Sequence, residues 1–321
     1  MSTPALPAAS DGAADLSTQR VTGLLLALAG AVAFSAKAII VKLAYRHGVD
    51  AITLIMYRML FALPFFIGLA WWSGRGRPAL TRQDRLAILG LGFSGYYLSS
   101  TLDFIGLHYI TASLERLILY LNPTMVLLLG GWLFGRRATR AQLLALAVSY
   151  CGVALVFGRE VRIEGSAVLL GGALVLASTV TYALYLLYSG EAVRRIGSMR
   201  LTGWASAVAC VFCIVQFMVW RPMSAAVVAP PVLWLSVLNA VLCTVAPVLM
   251  VMMAIERIGP AMASQAGMIG PITTILMGVG LLGEPFTVWL AAGTLCVLAG
   301  VWMLARAQSQ PRHEATNQAT R

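Results

Sequence analysis

The chain has 321 residues, of which 60% are hydrophobic and 11% charged, with a formal net charge of +11. Soluble domains carry roughly 25% charge, so the composition excludes an ordinary water-soluble fold and points to the bilayer. The basic surplus would also suit a nucleic-acid binder, but its placement along the chain excludes that reading.

Residues 1–19 are polar and Ala-rich, with no basic stretch ahead of the first apolar run. They predict a disordered tail followed by an uncleaved helix, because that run is too long for a signal-peptide core. Apolar stretches of about 20 residues are long enough to cross the hydrocarbon layer as helices. Ten follow, at 22–45, 50–72, 86–107, 111–134, 140–158, 167–189, 202–220, 231–254, 261–282 and 286–305. A β-barrel would alternate polar and apolar residues, and runs such as 24–30 and 245–255 do not. The polar stretch 159–165 predicts a solvated connecting loop, and 307–321 a second polar tail.

The loops orient the chain. With the N-terminus inside, 15 of the 23 Lys and Arg fall on the cytoplasmic side, among them Arg75, Arg77, Arg136, Arg194, Arg257 and Arg306. This positive-inside bias places both termini in the cytoplasm. All eight Trp lie near predicted span ends, where their amphipathic rings favour the headgroup level.

Residues 110–157 align without a gap on 258–305 at an offset of 148. Pro123 meets Pro271, Gly130 meets Gly278, Gly135 meets Gly283, Thr139 meets Thr287 and Gly152 meets Gly300. A doubled hydrophobic unit marks secondary transporters, with a site where the halves meet. Five helices per unit make the second unit enter from the opposite face. The expected organisation is a first repeat at 20–158 and a second at 166–306. Pro123 and Pro271 sit at equivalent places inside spans, as packing kinks or as paired hinges beside a wet cavity.

These features resemble the EamA family of the drug/metabolite transporter superfamily, over about residues 22–305. The resemblance rests on Tyr57-Arg58-Met59 in the second helix, on Asn122-Pro123 and Gly270-Pro271 in the fourth helix of each unit, and on Gly283-Glu284. The first half departs at the last motif, with Arg136 where the second has Glu284. The resemblance implies a bacterial inner-membrane carrier, often an exporter of amino acids or related metabolites.

Five ionisable residues fall within predicted spans, all in the first half: Lys37, Arg58, Asp103, Glu115 and Arg116. A charge at mid-membrane costs about 2.5–3.5 kcal/mol on insertion scales, so these groups must pair, line water or reach an interface. Counting along each helix at about 1.5 Å per residue puts all five in the outer half of the membrane. Lys37, Arg58 and Arg116 are expected to meet negative groups of a substrate. Asp103 and Glu115 would balance them, take a substrate cation or carry a proton. A lock between Arg58 and Asp103, and snorkelling of Asp103, Glu115 and Arg116 to the surface, are the structural alternatives. Helical spacing extends the band through Tyr96, Ser99, Ser100 and Asp103, through Arg116 and Tyr120, and through Ser178, Tyr182 and Tyr185, with Gln216, Asn239 and Gln265 adding polarity from the second half. Tyr offers a hydroxyl and a flat apolar surface together, which suits an amphipathic small molecule. At the offset of 148, Asp103, Glu115 and Arg116 map to Val251, Ala263 and Ser264.

Other chemistries fit less well. Gly92-Phe93-Ser94-Gly95 matches the motif of intramembrane serine proteases, but a base is needed near Ser94. His108 is about 21 Å along the same helix, while His47 and His313 lie near a helix end and in the tail. Cys210 and Cys213 form a C-x-x-C without a nearby His in sequence. The reading is therefore an all-α membrane protein with ten transmembrane helices in two inverted five-helix repeats, and not an enzyme. It would export a small amphipathic metabolite, amino-acid-like or an organic anion, by alternating access. Its partners would be that small-molecule substrate, the lipid bilayer and possible coupling protons, with no cofactor, metal or nucleic acid, as a monomer or homodimer. A flippase of a lipid-linked precursor on the same fold is the alternative.

Overall fold

The computed structural model describes residues 9–135 and 138–309. Among these every regular element is helical. Eight helices are long and apolar enough to cross a membrane, within Gln19–Tyr45, Ala51–Gly74, Ala112–Phe134, Arg140–Ile163, Ser166–Ile196, Ser198–Trp220, Pro230–Ile258 and Val288–Ala307.

Two of the ten expected spans are built differently. The third consists of α3 (Arg82–Leu91), a π-helical segment Gly92–Leu98 and α4 (Ser99–Leu107). Its serines, tyrosines and Asp103 make it too polar to qualify. The expected ninth, 261–282, begins as the last turns of a helix that started earlier, and only Gly270–Leu282 stands as a separate, shorter apolar helix.

The ends differ as well. α1 spans Ala9–Tyr45, so helix starts inside the expected N-terminal tail. Ala9, Ala13 and Ala14 favour helix, and extending an existing helix avoids a new nucleation. α2 (Ala51–Gly74) is capped by Asp50, whose side chain accepts from the Ile52 and Thr53 amides. α5 is Ala112–Leu119 and α6 is Asn122–Phe134. α7 runs from Arg140 through to Glu164, which removes the expected 159–165 loop. Its charged residues form a polar helix end, and Gly165, with φ of 79°, turns the chain into α8 (Ser166–Ile196). Then follow α9 (Ser198–Trp220), α10 (Pro230–Ala240), a π segment Val241–Val245, α11 (Ala246–Gly267), α12 (Gly270–Met277), a π segment Gly278–Leu282 and α13 (Val288–Ser309). The tail residues 1–8 and 310–321 lie outside the described residues.

The repeat read from sequence recurs in local structure. Gly135 and Gly283 end their helices in the left-handed region, at φ of 64° and 73°, where a side chain would be strained. Thr139 and Thr287 cap the next helices by accepting from the amides of Gln142 and Leu290. The π segments at Gly92–Leu98 and Val241–Val245 are also equivalent at the offset of 148. Pro123 and Pro271 correct the expectation of kinks inside continuous helices. Each stands in the first turn of a new helix after a break, where the missing amide proton leaves no bond unmade.

Packing follows the same symmetry. α2 lies along α9 and α7 along α13, while α1 packs on α11 and α4, α5 and α6 pack on α8. Exchanging the repeats maps the first two pairings onto themselves and the last two onto each other. Helix pairs therefore join the two repeats throughout, and the volume between α1, α2, α5, α8 and α11 remains open. Trp71, Trp72, Trp132, Trp220 and Trp234 face outward, as rings at a membrane interface would.

Candidate functional site

That open volume is a cavity of about 350 Å³, lined by residues of both repeats. Lys37, Arg58, Asp103 and Arg116 all line it, with Tyr96, Ser99, Ser100, Tyr120, Ser178 and Tyr182. A second chamber of about 480 Å³ shares Phe34, Tyr96, Arg116, Tyr120, Tyr182 and Val248 with it. It continues toward Ala27, Gly30 and Ala31 in the N-terminal part of α1, and toward Ile255, Ala263 and Gly267 on α11.

The five charges are deeply buried, at 5% exposure for Lys37 and Arg58, 4% for Asp103, 0% for Glu115 and 6% for Arg116. This corrects the snorkelling alternative. Lys37 Nζ lies 2.5 Å from Asp103 Oδ2 and 2.9 Å from Glu115 Oε1. One ammonium from α1 thus joins carboxylates from α4 and α5. Leaving either carboxylate buried without such a partner would be strongly destabilising. The lock between Arg58 and Asp103 is also corrected. Arg58 Nε donates instead to Thr244 Oγ1 at 2.9 Å, and the guanidinium lies 5.0 Å from the centre of the Phe104 ring.

Arg116 is held by neutral groups. Its Nη2 donates to Ser35 Oγ at 3.0 Å, and Ser35 in turn donates to the Gly270 carbonyl. The guanidinium lies 5.1 Å from the centre of the Phe34 ring and 5.9 Å from that of Tyr120. Arg116 Nε, although buried, has no partner. A Cβ on Gly270 would collide with Arg116 Nη2, so this glycine of the second repeat makes room for a cation of the first. Among the described residues neither Arg58 nor Arg116 is ion-paired. The cavity therefore presents two guanidiniums to any occupant, while Lys37 is already shared by two carboxylates.

The aromatic residues divide into wall and support. Tyr96 and Tyr182 line the cavity. Tyr185, expected beside them, stands behind, with its hydroxyl 3.2 Å from that of Tyr96 and its ring stacked on Tyr182 at 5.6 Å between centres. Tyr120 donates to the Gly267 carbonyl at 2.6 Å, across the repeat boundary. Gln216 and Asn239 are buried but line neither chamber. The side chain of Gln265 lies outside the described residues.

Several wall residues escape the sequence reading, namely Phe34, Met59, Phe66, Thr179, Ser206, Thr244 and Val248. Phe34 stands one turn before Lys37, a spacing that signals a shared face. Thr244 has a clearer signal, because it is the equivalent of Tyr96 at the offset of 148. Both stand in π segments, which are frequent at functional sites because the extra residue per turn re-aims side chains.

Ser94 and the cysteines acquire structural roles. Ser94 donates to the Gly90 carbonyl at 2.9 Å, and a Cβ at Gly92 would come within 2.6 Å of the Ala205 carbonyl. The G-x-S-G stretch is thus a packing surface for α9. Cys210 and Cys213 are buried beside Met59 in the apolar core. Among the described residues no group of three or more His, Cys, Asp or Glu is arranged to hold a metal.

The profile of the EamA-like transporter family matches the chain twice, over residues 21–158 and 169–306. An uncharacterized transporter of Bacillus subtilis strain 168, YcbK, is 31% identical over 283 residues, which cover 83% of this chain and 87% of that protein. An uncharacterized transporter of Archaeoglobus fulgidus is 23% identical over 292 residues, covering 90% and 99%. A crystal structure of a protein with 17% identity shares the fold, with a TM-score of 0.60 over 91% of this chain and 100% of that one.

Proposed function

Because the chain belongs to the EamA-like transporter family, we propose that its central cavity binds a small amphipathic metabolite bearing a carboxylate or a comparable anionic group. Ten crossing segments arranged as two inverted five-helix repeats, at 20–158 and 166–306, would expose this cavity alternately to the two sides. The reading counts the polar α3–α4 segment and the broken 261–282 segment as the third and ninth crossings. The basic loops support cytoplasmic termini and a bacterial inner-membrane location. In that orientation the second chamber runs toward the cytoplasm, as an exporter loading its cargo would require.

The observation that carries the proposal is the pair of guanidiniums, Arg58 and Arg116, that meet the cavity without a carboxylate partner. An anionic group entering between them completes charge-assisted hydrogen bonds that no carboxylate among the described residues supplies. Asp103 also lines the cavity and offers a contact for a substrate ammonium, which suits an amino-acid-like solute. Tyr96, Tyr120 and Tyr182 supply the apolar and hydroxyl wall. Glu115 lines neither chamber and balances charge behind Lys37. A proton exchanged at Asp103 or Glu115 would couple flux to the pH gradient.

The test is uptake by the purified chain in liposomes, with amino acids and organic acids offered singly and with an imposed pH gradient. Saturable flux of an anionic or zwitterionic solute is expected, with its KM raised about tenfold in Arg116→Gln, equivalent to about 1.4 kcal/mol. Saturable flux of cations alone would defeat the reading.

A further inference from the structure

Glu284 follows the left-handed turn at Gly283, at the end of the bundle where α1 finishes and α5 begins. Its Oε1 accepts from the Ala112 amide at 2.6 Å. Its Oε2 accepts from the Ser113 amide at 3.1 Å and from the Ser113 hydroxyl at 2.6 Å. A carboxylate of the second repeat thus closes on the first turn of α5 in the first repeat, where unpaired amides and the helix dipole both favour an anion. Arg46 adds a bond from beyond α1 to the Leu282 carbonyl at 2.8 Å. Glu284 and Ser113 also line a separate cavity of about 280 Å³, which shares no lining residue with the central chambers.

The repeat makes this contact a test of symmetry. Exchanging the repeats sends Glu284 to Arg136, Ala112 to Pro260 and Ser113 to Ala261. At the opposite membrane face the sequence therefore lacks the carboxylate, one of the two backbone donors and the hydroxyl. Proline has no amide proton to give, and Pro260 and Ala261 stand inside the continuous α11, where no helix start offers free amides to an anion. Both sides of the interaction are absent together, although Pro123, Gly130 and Gly135 recur as Pro271, Gly278 and Gly283.

We infer that Glu284 and the first turn of α5 form a one-sided latch, which holds the outer face shut and biases the carrier toward its inward-open state. The inference rests on the alternating-access reading above. Glu284 is a positioning residue. α5 carries Glu115 and Arg116 within a turn of Ser113, so releasing the latch frees the helix that brings these charges to the site. Substrate seated on Arg116 and latch closure at Ser113 would therefore bias the same rigid element.

The experiment reads accessibility and requires no known substrate. Ser100, which lines the central cavity, is replaced by Cys, and a membrane-impermeant maleimide is applied to right-side-out or inside-out vesicles. Labelling of the chain lacking Ser100→Cys is subtracted. Labelling from the cytoplasmic side should dominate. Glu284→Gln should raise outer-side labelling about tenfold, the scale of a lost charge-assisted contact, and Ser113→Ala should raise it less. Glu284→Asp, which keeps the charge at shorter reach, should fall between the parent and Glu284→Gln. Unchanged outer labelling in Glu284→Gln, with inner labelling intact, overturns the latch. If Glu284→Gln is not recovered from membranes, Ser113→Ala decides, and no rise there overturns it. A shifted distribution in a chain that moves no solute keeps the latch and overturns the carrier reading instead.

Discussion

Asp103, Glu115 and Arg116 of the first repeat stand where the second has Val251, Ala263 and Ser264. The backbones at these places are alike, with a π segment, a broken helix and a left-handed glycine in each repeat. The difference is chemical. The first repeat brings the charges, and the second brings neutral groups that hold them: Thr244 on Arg58, and the Gly267 and Gly270 carbonyls on Tyr120 and Ser35. The duplicated backbone is thus shared, while the buried charge of the cavity is loaded on one side. A solute that contacts both walls would meet cations on one and apolar and carbonyl surface on the other, which favours an amphipathic molecule over a symmetric dianion.

This contrast can be broken at several points. The largest effect belongs to Lys37→Met, which leaves Asp103 and Glu115 buried without their shared cation. Removing one partner of a buried pair costs about 3–5 kcal/mol, so thermal unfolding in detergent should show a marked fall in Tm. An unchanged Tm would mean that the triad does not stabilise the fold. Arg116→Gln keeps a donor for Ser35 and removes the charge, so fold should persist while KM rises about tenfold. Gly270→Ala asks whether the second repeat must yield space. Its Cβ should push Arg116 aside and raise KM several-fold, less than Arg116→Gln, because the guanidinium can shift. The smallest effect is that of Thr244→Val, which removes the acceptor for Arg58 Nε and should lower stability by about 0.5–1.5 kcal/mol. A KM unchanged in both Gly270→Ala and Thr244→Val would show that the second repeat takes no part in holding the site.

Much of this architecture is legible in the chain because it depends on local rules. Apolar length marks the crossing helices, Gly135 and Gly283 mark their left-handed ends, and Thr139 and Thr287 mark the next starts. The prolines are legible as irregularities but not as helix starts, because an isolated Pro does not say whether the turn before it remains helical. The 159–165 segment misleads for a related reason. Charged residues suit a solvated helix end as well as they suit a loop, and only Gly165 carries a true turn signal. The α3–α4 segment is hardest to delimit, since its Tyr96, Ser99 and Ser100 line the cavity at the expense of hydrophobicity.

Among the site residues, burial depth singles out all five charges, because an unsolvated ion is conspicuous wherever it occurs in an apolar run. Their pairing is not legible. Three cations and two anions allow several partnerships, and the choice of Lys37 for both carboxylates follows from how α1 passes between α4 and α5. Thr244 and Phe34 escape attention because single neutral residues in apolar helices carry no cost that demands a partner. Sequence by itself determined a membrane-embedded, duplicated helical chain whose charges inside the expected spans all fall in the first repeat, since these follow from transfer free energies and periodicity. Tertiary structure alone decided which cations lack a carboxylate partner and that Glu284 meets the first turn of α5, since electrostatic pairing depends on distances across helices far apart in the chain.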